Sequence, residues 1–163
     1  MLSNWKADHW ALATCITAGA LLCIALIMEY ALALSPCPLC MMQRIWVALT
    51  GLIAYASLAH NPRWGIYPLL GAISTIVGGG FSIRQLWLQS LPRDQVPACG
   101  PDLSYMLEAF PVADIVAAMM SGTGDCAQIS WALLGISLPG WLLLFFGALL
   151  AMNIMQIRQG SRA

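Results

Sequence analysis

Cys37 and Cys40 form a C-x-x-C inside the run Ser35 to Arg44, S-P-C-P-L-C-M-M-Q-R. Two cysteines at this spacing can cycle between dithiol and disulfide, supply half of a zinc site, or brace structure. Proline is favoured at the first position of a helix, so Pro38 predicts a helix start with Cys37 as N-cap and Cys40 in the first turn. Unpaired backbone N–H groups and the positive end of the helix dipole then surround both sulfurs, which favours the reactive thiolate. Arg44 follows Cys40 by one helical turn and lies on the same face. Its permanent charge suits a thiolate or a reduced, anionic acceptor.

The remaining cysteines narrow the choice. Cys99 and Cys126 sit in the long polar segment between apolar runs, while Cys15 and Cys23 lie within the first apolar run. Two cysteines in one extramembrane loop suggest a disulfide if the loop faces an oxidising compartment. Cys15 and Cys23 read as buried apolar residues.

These residues must be positioned by membrane helices. Of the 163 residues, 60% are hydrophobic and 9% charged, and formal net charge is zero. Soluble domains carry about 25% charged residues. Such a chain is an integral membrane protein with no expected nucleic-acid partner. Four apolar runs, 10–34, 40–59, 65–89 and 136–157, are each long enough to span a bilayer, which takes about 20 residues. The expected architecture is a single all-α membrane domain over 1–163, a four-transmembrane-helix bundle with a loop over 91–137. The first run exceeds the apolar core of a signal peptide, so it reads as an uncleaved span despite Ala31-Leu32-Ala33. Gly78-Gly79-Gly80 in the third run lets helices approach closely or lets the backbone bend. In the loop, Leu103, Met106, Leu107 and Phe110, then Ile115, Val116, Met119 and Met120, recur at helical spacing. They predict short amphipathic helices that lie on the membrane surface or else pack on the protein's own loop.

Charge sets the orientation. Four spans put both termini and the Asn61–Arg63 turn on one side, with Lys6, Arg63, Arg158 and Arg162 against Asp8. The long loop has Arg93 against Asp94, Asp102, Glu108, Asp114 and Asp125. The positive-inside rule therefore places both termini in the cytoplasm. Cys37, Cys40, Cys99 and Cys126 then share the outer face, the periplasm of a bacterium. A loop pair within reach of a protein and a boundary pair within reach of a lipid-soluble molecule can be linked by thiol–disulfide exchange. A membrane quinone meets the need for a final acceptor.

The chain resembles the disulfide bond formation protein B (DsbB) family over nearly its whole length. The resemblance rests on P-C-P-L-C followed by Q-R, W-L-Q-S-L-P at Trp87 to Pro92, P-A-C-G-P around Cys99, G-D-C at Gly124 to Cys126 and L-P-G-W at Leu138 to Trp141. It implies a protein-dithiol:quinone oxidoreductase, multi-pass in the bacterial inner membrane, that reoxidises a DsbA-type periplasmic thiol oxidase. It implies ubiquinone or menaquinone as electron acceptor. By the same resemblance, the partner attacks a Cys99–Cys126 disulfide at Cys99, and electrons reach Cys37 and Cys40 through a transient Cys37–Cys126 link. Cys40 and Arg44 would face the quinone. Gln43 is a second candidate contact, and Ser90 a third, standing where the family often has histidine. Glu29, inside an apolar run, is either functional or a boundary residue in reach of water. Arg84 is expected to snorkel or pair at the same boundary. The competing readings are a metal-binding membrane protein using the four outward cysteines and a scaffold braced by inert disulfides. In a vitamin K epoxide reductase-like protein, which also pairs cysteines with quinone, the membrane C-x-x-C would lie nearer the end of the bundle.

Overall fold

The computed structural model describes residues 6–61, 64–92, 94–97, 105 and 110–160. Cys99, Arg63, Arg93, Arg162 and the first amphipathic helix expected in the loop lie outside the described residues. Four helices, α1 (Ala7–Leu32), α2 (Pro38–His60), α3 (Ile66–Ser90) and α5 (Leu138–Gly160), are long and apolar enough to cross a membrane. Between α3 and α5 come α4 (Val112–Ser121), a 3-10 turn (Gly124–Ala127) and a two-stranded antiparallel hairpin, β1 (Ala132–Leu133) with β2 (Ile136–Ser137). In the hairpin Ala132 pairs with Ser137 and Leu133 with Ile136.

The helices form a ring in which α1 packs on α2, α2 on α3, α3 on α5, and α5 back on α1. Polarity runs opposite to that of a soluble domain. Thr14, Gln43, Thr50, Ser57, Ser74, Thr75, Ser82, Gln85, Asn153 and Gln156 are buried, whereas Ile16, Leu52, Ile76 and Leu144 point outward. Lipid tails are as apolar as leucine, so helices in a bilayer associate through small residues and interhelical hydrogen bonds. Both are present. Thr50 Oγ1 and Ser74 Oγ lie 2.9 Å apart across α2 and α3, and Gln156 Nε2 donates to Ser57 Oγ at 2.9 Å across α5 and α2. Of the three consecutive glycines, Gly78 makes the close approach: a methyl there would sit 2.4 Å from the Phe146 ring. Gly80 faces open space.

Local chemistry sets the ends of the helices near the cysteines. Pro38 begins α2 and Cys37 caps it, its Sγ accepting the Cys40 N–H at 3.4 Å. α1 closes with Ala33 in the left-handed region (φ 51°), and the Leu34 N–H returns to the Met28 carbonyl at 3.4 Å. The chain thus turns sharply from α1 into the Ser35–Cys37 approach to α2. The loop returns onto this same end of the bundle. α4 packs on α2, the 3-10 turn on α3 and α2, and β2 on α5.

Candidate redox site

The site lies where the start of α2 meets the end of α3, under the 3-10 turn. Cys37 Sγ and Cys40 Sγ are 2.9 Å apart. Cys126, fully buried, packs in one cluster with Leu39, Phe81 and Leu88, with Cys37 at its edge. Three sulfurs from two distant stretches of sequence are thereby brought together, with Cys37 donating to Cys40 and packed against the cluster that holds Cys126.

Gly122 makes this docking possible. Its backbone (φ 78°, ψ 151°) falls where only glycine is comfortable. A Cβ would meet Leu39 Cδ1 at 2.7 Å and Leu88 Cδ1 at 2.9 Å. The chain leaving α4 therefore presses its backbone against α2 and α3, and the 3-10 turn delivers Cys126 to the capped end of α2.

That end is a natural place for anionic sulfur. The Cys126 thiol is lowered from 9.0 to about 6. The hydrogen bond from Cys37 is the largest cause, working against burial, and the backbone groups of Leu39 and Thr123 add to it. The Leu39 N–H belongs to the first turn of α2, where helical N–H groups lack intrahelical partners.

Two glutamines complete the inner wall. Gln85 on α3, 3% exposed, directs Nε2 at Cys40 Sγ (3.4 Å) and Cys37 Sγ (3.5 Å). Gln43 on α2 donates Nε2 to Gln85 Oε1 at 2.9 Å. Arg44 forms an ion pair with Glu29 of α1 and donates Nη2 to the Ala25 carbonyl at 3.0 Å. Glu29, ambiguous in the sequence, is thus the partner that holds Arg44 in place.

A cavity of about 600 Å³ opens beside the sulfurs. Cys40, Gln43, Arg44 and Gln85 line one side, while Leu21, Ile24 and Met28 of α1 and Leu142 and Phe145 of α5 supply apolar walls. Trp131 and Leu133 of the hairpin region cover it, and the hairpin is tied down by Trp141 Nε1 donating to the Leu133 carbonyl (3.2 Å) and Ser137 Oγ donating to Gln89 Oε1 (2.8 Å). Small-molecule sites are typically mostly apolar clefts of about 300–1,000 Å³ with a few convergent polar groups. A quinone ring, flat and apolar with two carbonyl acceptors, fits a lining of this kind, with Arg44 and the glutamine amides as donors.

The structure therefore brings together Cys37, Cys40, Cys126, Gln43 and Arg44. It does not bring Ser90 to them: its hydroxyl donates to the Trp87 carbonyl at 2.7 Å in its own helix, and the cavity is lined by the preceding Gln89. Cys15 and Cys23 lie along α1, half-buried and exposed, outside the cavity lining. Arg84 stacks its guanidinium 4.4 Å from the centre of the Trp87 ring and donates to the Ser121 carbonyl, joining α3 to the loop. The residue that sequence reasoning missed is Gln85. An amide within an apolar span that must find an internal partner was its available signal.

The model of the family described as disulfide bond formation protein DsbB matches residues 7–156. The chain is 47% identical to Disulfide bond formation protein B of Hahella chejuensis, covering 87% of this chain and 88% of that one. The corresponding protein of Saccharophagus degradans is 45% identical over 83% of this chain and 84% of its own. That of Marinobacter nauticus is 43% identical over 94% and 91%.

Proposed function

Because the chain belongs to the disulfide bond formation protein DsbB family, we propose that it oxidises a DsbA-type periplasmic thiol oxidase and passes the electrons to a membrane quinone. The metal-binding and inert-scaffold readings are not favoured by that membership. The observation that carries the proposal is the convergence of Cys126 on Cys37 and Cys40 beside an apolar cavity edged by Arg44.

In this reading the site end of the bundle faces the periplasm and both termini the cytoplasm, the orientation that the positive-inside rule supports. The partner's thiolate attacks Cys99 of a Cys99–Cys126 disulfide, and Cys126 leaves as a thiolate. The backbone groups of Leu39 and Thr123 favour that thiolate, which eases its departure. Held against Cys37, it attacks that sulfur, the Cys126–Cys37 bond forms, and the Cys37–Cys40 bond breaks with its electron pair on Cys40. Bound in the cavity, a quinone supplies a two-electron acceptor, ubiquinone and menaquinone being the candidates. Arg44, fixed by Glu29 and the Ala25 carbonyl, offers fixed positive charge where negative charge accumulates. Gln43 contributes by holding Gln85 and by lining the cavity wall. Ser90 has no part in this mechanism.

The test is quinone reduction by the purified protein supplied with a reduced DsbA-type partner. Turnover by the wild type, lost in both Cys99→Ala and Cys40→Ala, is the expected result. Turnover that survives Cys99→Ala would overturn the route through the loop.

A further inference from the structure

The geometry points to Gln85 as the residue that stabilises the sulfur expelled from the Cys37–Cys40 disulfide. This rests on the exchange step proposed above and assigns a catalytic residue to it. Gln85 reaches the sulfurs from α3, a helix that contributes no cysteine.

Three features of its surroundings carry the inference. First, the amide is 3% exposed, so water does not compete for its donors. Second, its orientation is set by a neighbour. Gln43 Nε2 donates to Gln85 Oε1 at 2.9 Å, which turns Gln85 Nε2 toward Cys40 Sγ at 3.4 Å and Cys37 Sγ at 3.5 Å. Third, the same amide serves either protonation state of Cys40, because Oε1 also lies 3.7 Å from Cys40 Sγ, where a thiol can donate to it.

The chemical consequence follows from how differently the two redox states accept a hydrogen bond. Disulfide sulfurs are weak acceptors, so in the oxidised pair the buried N–H groups of Gln85 are poorly satisfied. When Cys126 attacks Cys37, the electron pair of the breaking Cys37–Cys40 bond leaves on Cys40 Sγ. One disulfide replaces another, no proton moves, and the new anion sits directly in front of Gln85 Nε2. A hydrogen bond to a charged group is substantially stronger than one to a neutral group, more so where water is excluded. Gln85 therefore stabilises the product of the exchange more than its reactant. It makes the C-x-x-C a stronger acceptor of electrons from the loop, and it speeds departure of Cys40. The N–H of Cys40 itself does not supply this, because it is spent on Cys37 Sγ.

The experiment uses the full-length protein in detergent as wild type, Gln85→Leu and Gln85→Met. The Met variant keeps the length of the side chain and removes only its hydrogen-bonding groups. Two quantities are read: the equilibrium of Cys37–Cys40 in glutathione buffers, and the rate at which Cys126, released by a reduced partner, exchanges with that pair. Loss of a hydrogen bond to a charged group corresponds to about a tenfold effect or more. Both variants are expected to hold the pair about tenfold further toward disulfide and to slow the exchange by a similar factor. A packing role alone would lower thermal stability and leave the redox equilibrium in place. An unchanged equilibrium and rate in Gln85→Met, with a wild type that exchanges normally, would overturn the role of Gln85 alone. A wild type whose Cys126 never exchanges with the pair would instead overturn the relay on which it rests.

Discussion

Replacing Gly122 by alanine tests how the loop is fastened to the bundle. Two penalties act at that residue. At φ 78° and ψ 151° its backbone lies in a region closed to side chains, with strain of roughly 1–3 kcal/mol. The new methyl would also stand 2.7 Å from Leu39 Cδ1 and 2.9 Å from Leu88 Cδ1. Both leucines are fully buried, so neither has free space to turn into, and overpacking of this kind adds about 1–3 kcal/mol. Together they disfavour the docked loop by about 2–6 kcal/mol, and about 3 kcal/mol, in the lower half of that range, is already on the order of 100-fold in population. The assay is the effective concentration of Cys126 at Cys37, from glutathione equilibria of a protein in which these are the only cysteines. Gly122→Ala should lower it by about 100-fold, by the arithmetic above. Gly80→Ala, with nothing within 4 Å of its added methyl, should leave it unchanged. An unaltered value in Gly122→Ala would refute the fastening described, because a loop held elsewhere would not feel the substitution.

Three other outcomes follow from the same geometry. With Cys37 present and the other cysteines removed, the reaction of Cys126 with a small alkylating reagent should rise with pH around a midpoint of about 6. Because the pKa is depressed, the thiolate persists above that pH and is lost as pH falls through it; Cys37→Ala, removing the largest cause, should move the midpoint upward. Arg44→Gln removes charged hydrogen bonds worth about 1.5–3 kcal/mol, so the KM for quinone should rise about tenfold or more while exchange between the partner and Cys99 is unchanged. Gly78→Ala drives a methyl into the Phe146 ring and should lower the unfolding midpoint in detergent, whereas Gly147→Ala, which meets nothing within 4 Å, should not.

The parts of the site that rest on local rules were legible in the sequence. Pro38 after Cys37 specifies a capped helix start, and four apolar runs specify four long helices, because each depends on a few neighbouring residues and on bilayer thickness. Gly78-Gly79-Gly80 offered close packing or a bend, and which glycine would face Phe146 depends on the rotation of α3 in the ring. What could not be read required knowing which helices touch. Glu29 and Arg44 are separated by a turn between helices, and Gln85 stands 45 residues beyond Cys40. Neither contact has a periodic signature. Ser90 and Gln89 show the same limit from the other side: adjacent in a polar helix end, they point to different surroundings, and only Gln89 reaches the cavity. The hairpin covering the cavity has only two residues in each strand, too short for alternation to reveal.

The most direct test of the relay is to map disulfides in the wild-type protein, quenched with acid during turnover with a reduced DsbA-type partner and quinone. The relay predicts two trapped species, the partner joined to Cys99 and a Cys37–Cys126 disulfide. A partner joined directly to Cys37 or Cys40, with Cys126 never linked to either, would contradict it.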